Sequence, residues 1–253
     1  MIFKNYGNPE KPWYILIHGG FLGEWSLRNV VSELKEQYFV VTPELQGHGD
    51  DIDSLFIGVE QTAKIIINHI EKNCKSRVAV IGGFSVGAQV TSEILMQDPN
   101  ISEYAVIESG CENRIPVPKS IVKLMFKIKN GKFYKSFLDD VCPLPQEMIG
   151  SFNTNYSLMS KETLINTAYN NFVHRSDKRL AKCQAKVLIM YGSDEPNVMK
   201  RAAIRMNKII PKSCVFTVHG FKHGGISIWN PKAYSSLVQS LEKIDFKVYK
   251  NKV

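Results

Sequence analysis

Six short apolar runs, each continuous rather than alternating, are spaced along this chain with stretches of helical period between them, and few architectures accommodate that pattern. The runs are Trp13–Ile17 (WYILI), ended by Gly19-Gly20; residues 39–42 (FVVT), ended by Pro43; residues 77–81 (RVAVI), ended by Gly82-Gly83; and residues 104–107 (YAVI), 187–191 (VLIMY) and 214–218 (CVFTV). A strand that is apolar at every position is covered on both faces, as in a parallel sheet packed between helices. The intervening segments supply the covering. Leu27, Val30, Val31 and Leu34 stand at i, i+3, i+4 and i+7, and Val59, Ala63, Ile66, Ile67 and Ile70 repeat the pattern. Residues 86–96 give a third helix, stopped before Asp98-Pro99, and residues 202–209 and 233–244 give two more. Strand–helix alternation predicts an open α/β sheet.

Residues 111–186 break the alternation. They contain no evident strand, helical stretches at 121–129 (stopped by Asn130-Gly131) and 161–172, and connections carrying Pro116, Pro118, Pro143 and Pro145. The segment is too long for a simple crossover and predicts a helical insertion into a core formed by residues 1–110 and 187–253. It is also the basic part of the chain. Between Cys111 and Ala185 there are 12 Lys and Arg against 6 Asp and Glu, most of the formal charge of +8. Long charged side chains usually face water, and without an RNA-binding signature, zinc-finger spacing or aromatic–basic alternation no nucleic-acid partner is expected. A length of 253 residues suits one domain with an inserted subdomain. No apolar run approaches the roughly 18 residues of a membrane span. The first residues lack the apolar core of a signal peptide, so a cytoplasmic location is expected. Five scattered cysteines with no CxxC point to reduced thiols rather than a disulfide framework or a zinc site.

The chemistry is concentrated in loops that follow strands. Gly83-Phe84-Ser85-Val86-Gly87 is a G-x-S-x-G directly after the RVAVI strand and directly before a helix. The pattern alone is common; the strand–turn–helix setting is what a nucleophile elbow requires. Small flanking residues permit a tight turn that points the Ser85 hydroxyl outward, and the helix N-terminus puts the Val86 N–H where an oxyanion would form. A serine hydroxyl needs a base, normally histidine, oriented in turn by a carboxylate. His223, in the Gly-bounded loop Gly220 to Gly225 after the last strand, is the candidate base, with His219 as its rival. His18 and His48 read as bracing residues of other strand-end loops, and His69 and His174 as ordinary. Tyr191-Gly192-Ser193-Asp194-Glu195-Pro196 ends the VLIMY strand and offers two carboxylates; Glu108 at the end of YAVI is a third.

These pieces together resemble the α/β-hydrolase superfamily, in its single-domain form with a helical cap. The matching segments are His18-Gly19-Gly20, Gln46-Gly47-His48-Gly49, the Gly83–Gly87 elbow, Gly192-Ser193-Asp194-Glu195 and His223-Gly224, in order over almost the whole chain. The resemblance implies a serine hydrolase of carboxylic esters, possible thioesters or small amides included, with Ser85 as nucleophile, His223 as base and Glu195 as acid. The family's acid usually stands three residues after the glycine that ends its strand and is more often Asp; Glu195 keeps the register and departs in residue type, so Asp194 and Glu108 stay open as alternatives. The resemblance further implies an oxyanion hole from the N–H of Val86 and that of Gly20 or Phe21, and a small ester-like substrate with no metal and no organic cofactor. It places Met125, Phe126, Met148, Phe152, Tyr156 and Met159 of the insertion as pocket lining or as packing between cap and body, and Arg114, Lys119 and Lys123 as attractors of an anionic substrate or plain surface. The same triad serves cofactor-free lyases such as the menaquinone-pathway synthase, carbon–carbon hydrolases, and ligand-binding proteins of low turnover. The family's N-terminal hairpin is nearly absent, so a sheet of six or seven strands is expected.

Overall fold

A computed structural model describes residues 1–74, 77–112, 117–128 and 142–246. Arg114 and the Asn130-Gly131 helix stop lie outside these residues. Seven strands form one sheet in the order β1-β3-β2-β4-β5-β6-β7: β1 Ile2–Tyr6, β2 Trp13–Ile17, β3 Phe39–Glu44, β4 Val78–Phe84, β5 Ser102–Glu108, β6 Lys186–Gly192 and β7 Ser213–Val218. Every neighbouring pair is parallel except β1 with β3, which pairs antiparallel from Ile2 opposite Glu44 to Tyr6 opposite Val40. Strand β4 is the middle one of the seven, so its carboxyl end opens at the centre of the sheet.

The pleat divides each apolar run between two cores, which explains why the runs are continuous. Ile15 and Ile17 of β2, with Val187 and Ile189 of β6, face a cluster with helices α2 (Val59–Asn73), α3 (Val86–Gln97) and, through Ala203 and Met206, the helix Asn197–Ile209. Tyr14 and Leu16, with Leu188 and Met190, face a second cluster with α1 (Arg28–Leu34) and the helix Pro231–Gln239. There the Tyr14 and Tyr234 hydroxyls share a buried hydrogen bond of 2.7 Å, so neither phenol goes unpaired.

Three expectations change in detail. Strand β3 does not stop at Pro43: it runs on to Glu44, with Phe3 opposite Pro43. The last residue of β3 paired with β2 is Val41, so the missing Pro43 N–H falls where only the edge strand β1 flanks it. The apolar period of residues 233–244 is split into Pro231–Gln239 and a 3₁₀ turn, Leu241–Lys243. Ser236 and Ser240 there bond back to the carbonyls of Lys232 and Ser236, the local competition that loosens a helix end. Finally, a strand of its own, β1, stands before the WYILI run, and in it Lys4 meets Asp50, Glu24 and Glu44 at 2.6, 3.2 and 3.4 Å and so offsets two buried carboxylates.

Between β5 and β6 the described residues include three α-helices: α4 Lys119–Ile128, α5 Gln146–Leu158 and α6 Lys161–Val173. After β6 follow α7, Asn197–Ile209, and α8, Pro231–Gln239. Ser160 caps α6 through the Thr163 N–H. Phe126, Met148, Phe152 and Met159 of this segment pack with Phe21, Leu22, Phe84 and Ile228 of the strand-end loops into a third buried cluster. Tyr156 packs against it partly buried. Lys123 is exposed and Lys119 half-buried. Among the described residues no helix is long and apolar enough to cross a membrane.

Candidate active site

The turn from β4 into α3 brings Ser85 to the sheet's centre in an unusual backbone conformation, φ 57° and ψ −115°. Two glycines make the turn possible. A Cβ at Gly83 would overlap the Gly87 carbonyl, and one at Gly87 would overlap the carbonyls of Ile17 and His18. Those obstacles are backbone and cannot swing aside, so the spacing of the two glycines around Ser85 follows from the crossing of α3 against β2. The Ser85 N–H donates to the Glu108 carbonyl at 2.9 Å, holding the strained residue to the end of β5.

Three side chains from separate loops meet in a line. His223 Nε2 lies 2.9 Å from Ser85 Oγ, and His223 Nδ1 lies 2.8 Å from Glu195 Oε2. The other Glu195 oxygen accepts from the Gly192 N–H and from the Ser109 hydroxyl, each at 2.7 Å. Burial alone would raise the Glu195 pKa; the bond and charge of His223 and the Gly192 and Ser109 donors outweigh it and hold the carboxyl below its ordinary value. The side chains of both Glu195 and His223 are buried, and Ser85 is half-buried. A carboxylate aimed at Nδ1 keeps the proton there, which leaves Nε2 as an acceptor facing the serine hydroxyl.

The other candidates stand elsewhere. Asp194 is exposed and accepts from its neighbour Ser193 at 2.8 Å, so it is not the carboxylate that meets the histidine. The cause is the turn after β6: Glu195 N bonds back to the Gly192 carbonyl, and this curls the chain so that residue 195 points inward and residue 194 outward. His219, the rival base, is exposed. His18 Nδ1–H donates to the Gly19 carbonyl at 2.8 Å and Nε2 accepts from Leu45 N at 3.0 Å, bracing the ends of β2 and β3. Burial lowers its pKa to about 4. His48 is fully buried, bonded through Nδ1 to the Gln46 carbonyl, and burial lowers its pKa to about 3. His69 stacks on Phe3 at 3.6 Å, and His174 lies 3.3 Å from the Ser92 hydroxyl. Cys111 Sγ reaches the Asn171 carbonyl.

No family model matches the chain. The uncharacterized hydrolase YugF of Bacillus subtilis is 23% identical over 237 residues, which cover 85% of each chain. Among solved structures, an α/β hydrolase family protein from Desulfitobacterium hafniense matches with a TM-score of 0.76 and 20% identity, covering 95% of this chain and 100% of that one. MenH from S. aureus matches at 0.77 and 16% identity, over 95% and 97% of the two chains. The esterase RhEst1 from a Rhodococcus species matches at 0.75 and 18% identity, over 95% and 94%. The chain has the α/β-hydrolase fold.

Two features of the site's backbone were not visible from sequence. Ser109, which donates to Glu195, sits at φ 54°, and Phe21 in the loop after β2 sits at φ 64°. With Ser85 these are all the positive-φ non-glycine residues among those described, and each follows a strand that ends at the site. Strained backbone of this kind costs of order 1–3 kcal/mol per residue and is held only where surrounding contacts over-determine it. Gly20 approaches α3 closely: a Cβ there would lie 2.7 Å from Val86 Cγ2 and 2.6 Å from Thr167 Cγ2 of α6. The Val86 N–H belongs to the first turn of α3 and has no acceptor within the helix.

Glu108 has a different part from the one its strand-end position suggested. It is buried behind the histidine loop, where Oε1 accepts from the N–H groups of Ile226 and Ser227 at 3.2 Å each. Burial raises its pKa to about 6, against the lowering by those N–H groups. An acid whose folded pKa lies above its unfolded one costs stability as pH rises from about 4.5 through about 6, and the cost is complete above that. Glu108→Gln keeps the Oε1 acceptor without the charge. It should unfold like the wild type at pH 4.5 and be more stable by about 2 kcal/mol at pH 8. Denaturant titrations of both proteins at the two pH values check this; equal stability at pH 8 would remove the argument.

Proposed function

We propose that this protein is a serine hydrolase that cleaves carboxylic esters through an acyl-enzyme on Ser85. The observation that supports it is the unbroken line Ser85–His223–Glu195, with a carboxylate held ionised by three donors at its buried end. As the Ser85 oxygen attacks the carbonyl carbon, its proton passes to His223 Nε2, and Glu195 stabilises the imidazolium that results. The oxygen that gains negative charge is received by the Val86 N–H and an N–H of the Gly20–Phe21 loop; one such donor is typically worth roughly 3 kcal/mol in the transition state. The imidazolium then protonates the departing alcohol oxygen. Water, deprotonated by His223, attacks the acyl carbon and frees the acid and the serine. No step calls for a metal or an organic cofactor. Residues 111–186 are read as a cap over this crevice, with Phe126, Met148, Phe152 and Met159 as apolar packing between cap and body. The neighbours named as hydrolase and esterase favour this reaction class.

A fluorophosphonate probe should label the protein stoichiometrically on Ser85, with p-nitrophenyl acetate or butyrate turned over steadily. Failure of both, in protein shown to be folded, would sink the proposal. A cofactor-free lyase or carbon–carbon hydrolase using the same three side chains is the second reading, favoured by the likeness to MenH. Probe labelling without turnover across an ester chain-length panel would favour that reading.

A further inference from the structure

Asn155 stands on α5, in the inserted segment, yet its side chain is spent on the backbone of the body. The residue is only 6% exposed. Its Nδ2 donates to the Phe21 carbonyl at 3.0 Å and to the Leu22 carbonyl at 3.3 Å, while its Oδ1 accepts from the Gly49 N–H at 2.6 Å. The orientation of the amide is not arbitrary. A backbone N–H can only donate, so Oδ1 must face Gly49, and this turns the two N–H donors toward the two carbonyls.

The loop held in this way is the one that would supply the second oxyanion donor. It needs holding, because Phe21 sits at φ 64°, where a residue with a bulky side chain gains nothing from its own backbone. The Phe21 and Leu22 carbonyls belong to the peptide planes on either side of Leu22, and the Leu22 N–H donates back to the Gly19 carbonyl at 3.4 Å, so the turn from Gly19 to Leu22 that carries the Gly20 and Phe21 N–H groups is pinned at its far end. The N–H of Gly20 or Phe21 then keeps one direction. The rest of the insertion is joined to the body in the same fashion but at other places: Asn166 Nδ2 donates to the Phe56 carbonyl at 2.7 Å, and Asn170 Oδ1 accepts from Val59 N at 3.2 Å. Asn155 is the member of this set that reaches the strand-end loop beside Ser85.

We infer that Asn155 is a positioning residue for the oxyanion hole, through which the inserted helices set the geometry of the loop after β2. The inference rests on the hydrolase reading above. Its contribution is realised in the transition state, when charge develops on the carbonyl oxygen, and little in substrate binding.

The test uses the full-length protein with Asn155→Leu, which keeps the volume and loses both sets of bonds, and Asn155→Ala, which leaves room for water. On p-nitrophenyl butyrate, kcat should fall 10- to 100-fold with KM within twofold of wild type. The Ki of phenylboronic acid, whose tetrahedral adduct on Ser85 uses the same donors, should rise by a similar factor. A folded variant of either kind with wild-type kcat, or with its loss confined to KM, overturns the inference. So does an unchanged boronate Ki. If Asn155→Leu does not fold, Asn155→Ala decides alone. Wild-type protein that neither turns over the ester nor binds the boronate overturns the hydrolase reading itself, and this inference with it; wild-type activity with insensitive variants overturns this inference only.

Discussion

Ser85→Ala should lower kcat on p-nitrophenyl esters by about 10⁶-fold and abolish fluorophosphonate labelling, with the unfolding midpoint within a few degrees of wild type. The size follows from how the three side chains act in the proposed reaction. The attacking oxygen, the base that removes its proton and the carboxylate that orients the base form one unit, so loss of the first leaves the other two with nothing to do. His223→Ala should therefore cost about as much, and the double variant scarcely more than either single one. What survives is binding and any stabilisation of the carbonyl oxygen by backbone donors, which can still favour attack by water. The structural cost is small because, among the described residues, the Ser85 hydroxyl bonds to His223 alone, whereas the backbone of residue 85 is held by its N–H to the Glu108 carbonyl, a bond alanine keeps. Residual turnover above roughly one part in a thousand, measured on protein free of wild-type contamination, would mean that another nucleophile carries the reaction.

How much of this could be read from residues alone differs from part to part. Strand β2, the YAVI stretch of β5 and the interior of β6 were apparent because burial on both faces leaves no polar position to blur them, whereas the edge strand β7, with Phe216 exposed, was legible from its β-branched and aromatic residues. The helices α1, α2 and α3 show their apolar stripe at the right period. The sheet's size was foreseen as six or seven strands, and the elbow followed from a local coincidence of strand, glycine, serine and helix. What escaped detection depends on contacts between distant segments. The choice between Asp194 and Glu195 turns on how the chain after β6 is held, locally by Glu195 N to the Gly192 carbonyl and across the fold by Asp194 N to the Phe221 carbonyl, which leaves Glu195 facing the core. Ser109 supports Glu195 across 86 positions of chain, and Asn155 reaches Phe21 across 134. Neither residue carries a pattern; serine after a strand and asparagine within a helix are ordinary choices, and only the folded neighbourhood gives them a task. Helix α5, with its mixed polar and apolar sides, was also not singled out, since Asn155 occupies a buried position that periodicity expects to be apolar.

Glu195, the proposed acid, offers the second large effect, and a sharper comparison. Glu195→Gln should lower kcat by roughly 10³- to 10⁴-fold, whereas Asp194→Asn should leave it within twofold. The reason lies in which donors are fixed. In the wild type Glu195 Oε1 receives the Gly192 N–H and the Ser109 hydroxyl, and Oε2 receives His223 Nδ1–H. A glutamine has one acceptor oxygen, and the Gly192 N–H, a backbone donor that cannot reverse its role, claims it. The NH₂ group is then left facing His223. Two donors cannot share one hydrogen bond, so Nδ1 must give up its proton and accept, and the imidazole proton moves to Nε2. There it points at the Ser85 hydroxyl, and the nitrogen meant to receive a proton already carries one. The geometry survives while the base is lost, so the loss should fall on kcat, with KM nearly unchanged. Asp194 is exposed and bonded to Ser193, so its amide reaches neither ring nitrogen. Kinetics of the two variants side by side decide the matter: a large loss in Asp194→Asn with a small one in Glu195→Gln would mean that the turn after β6 presents the other carboxylate to His223 in solution.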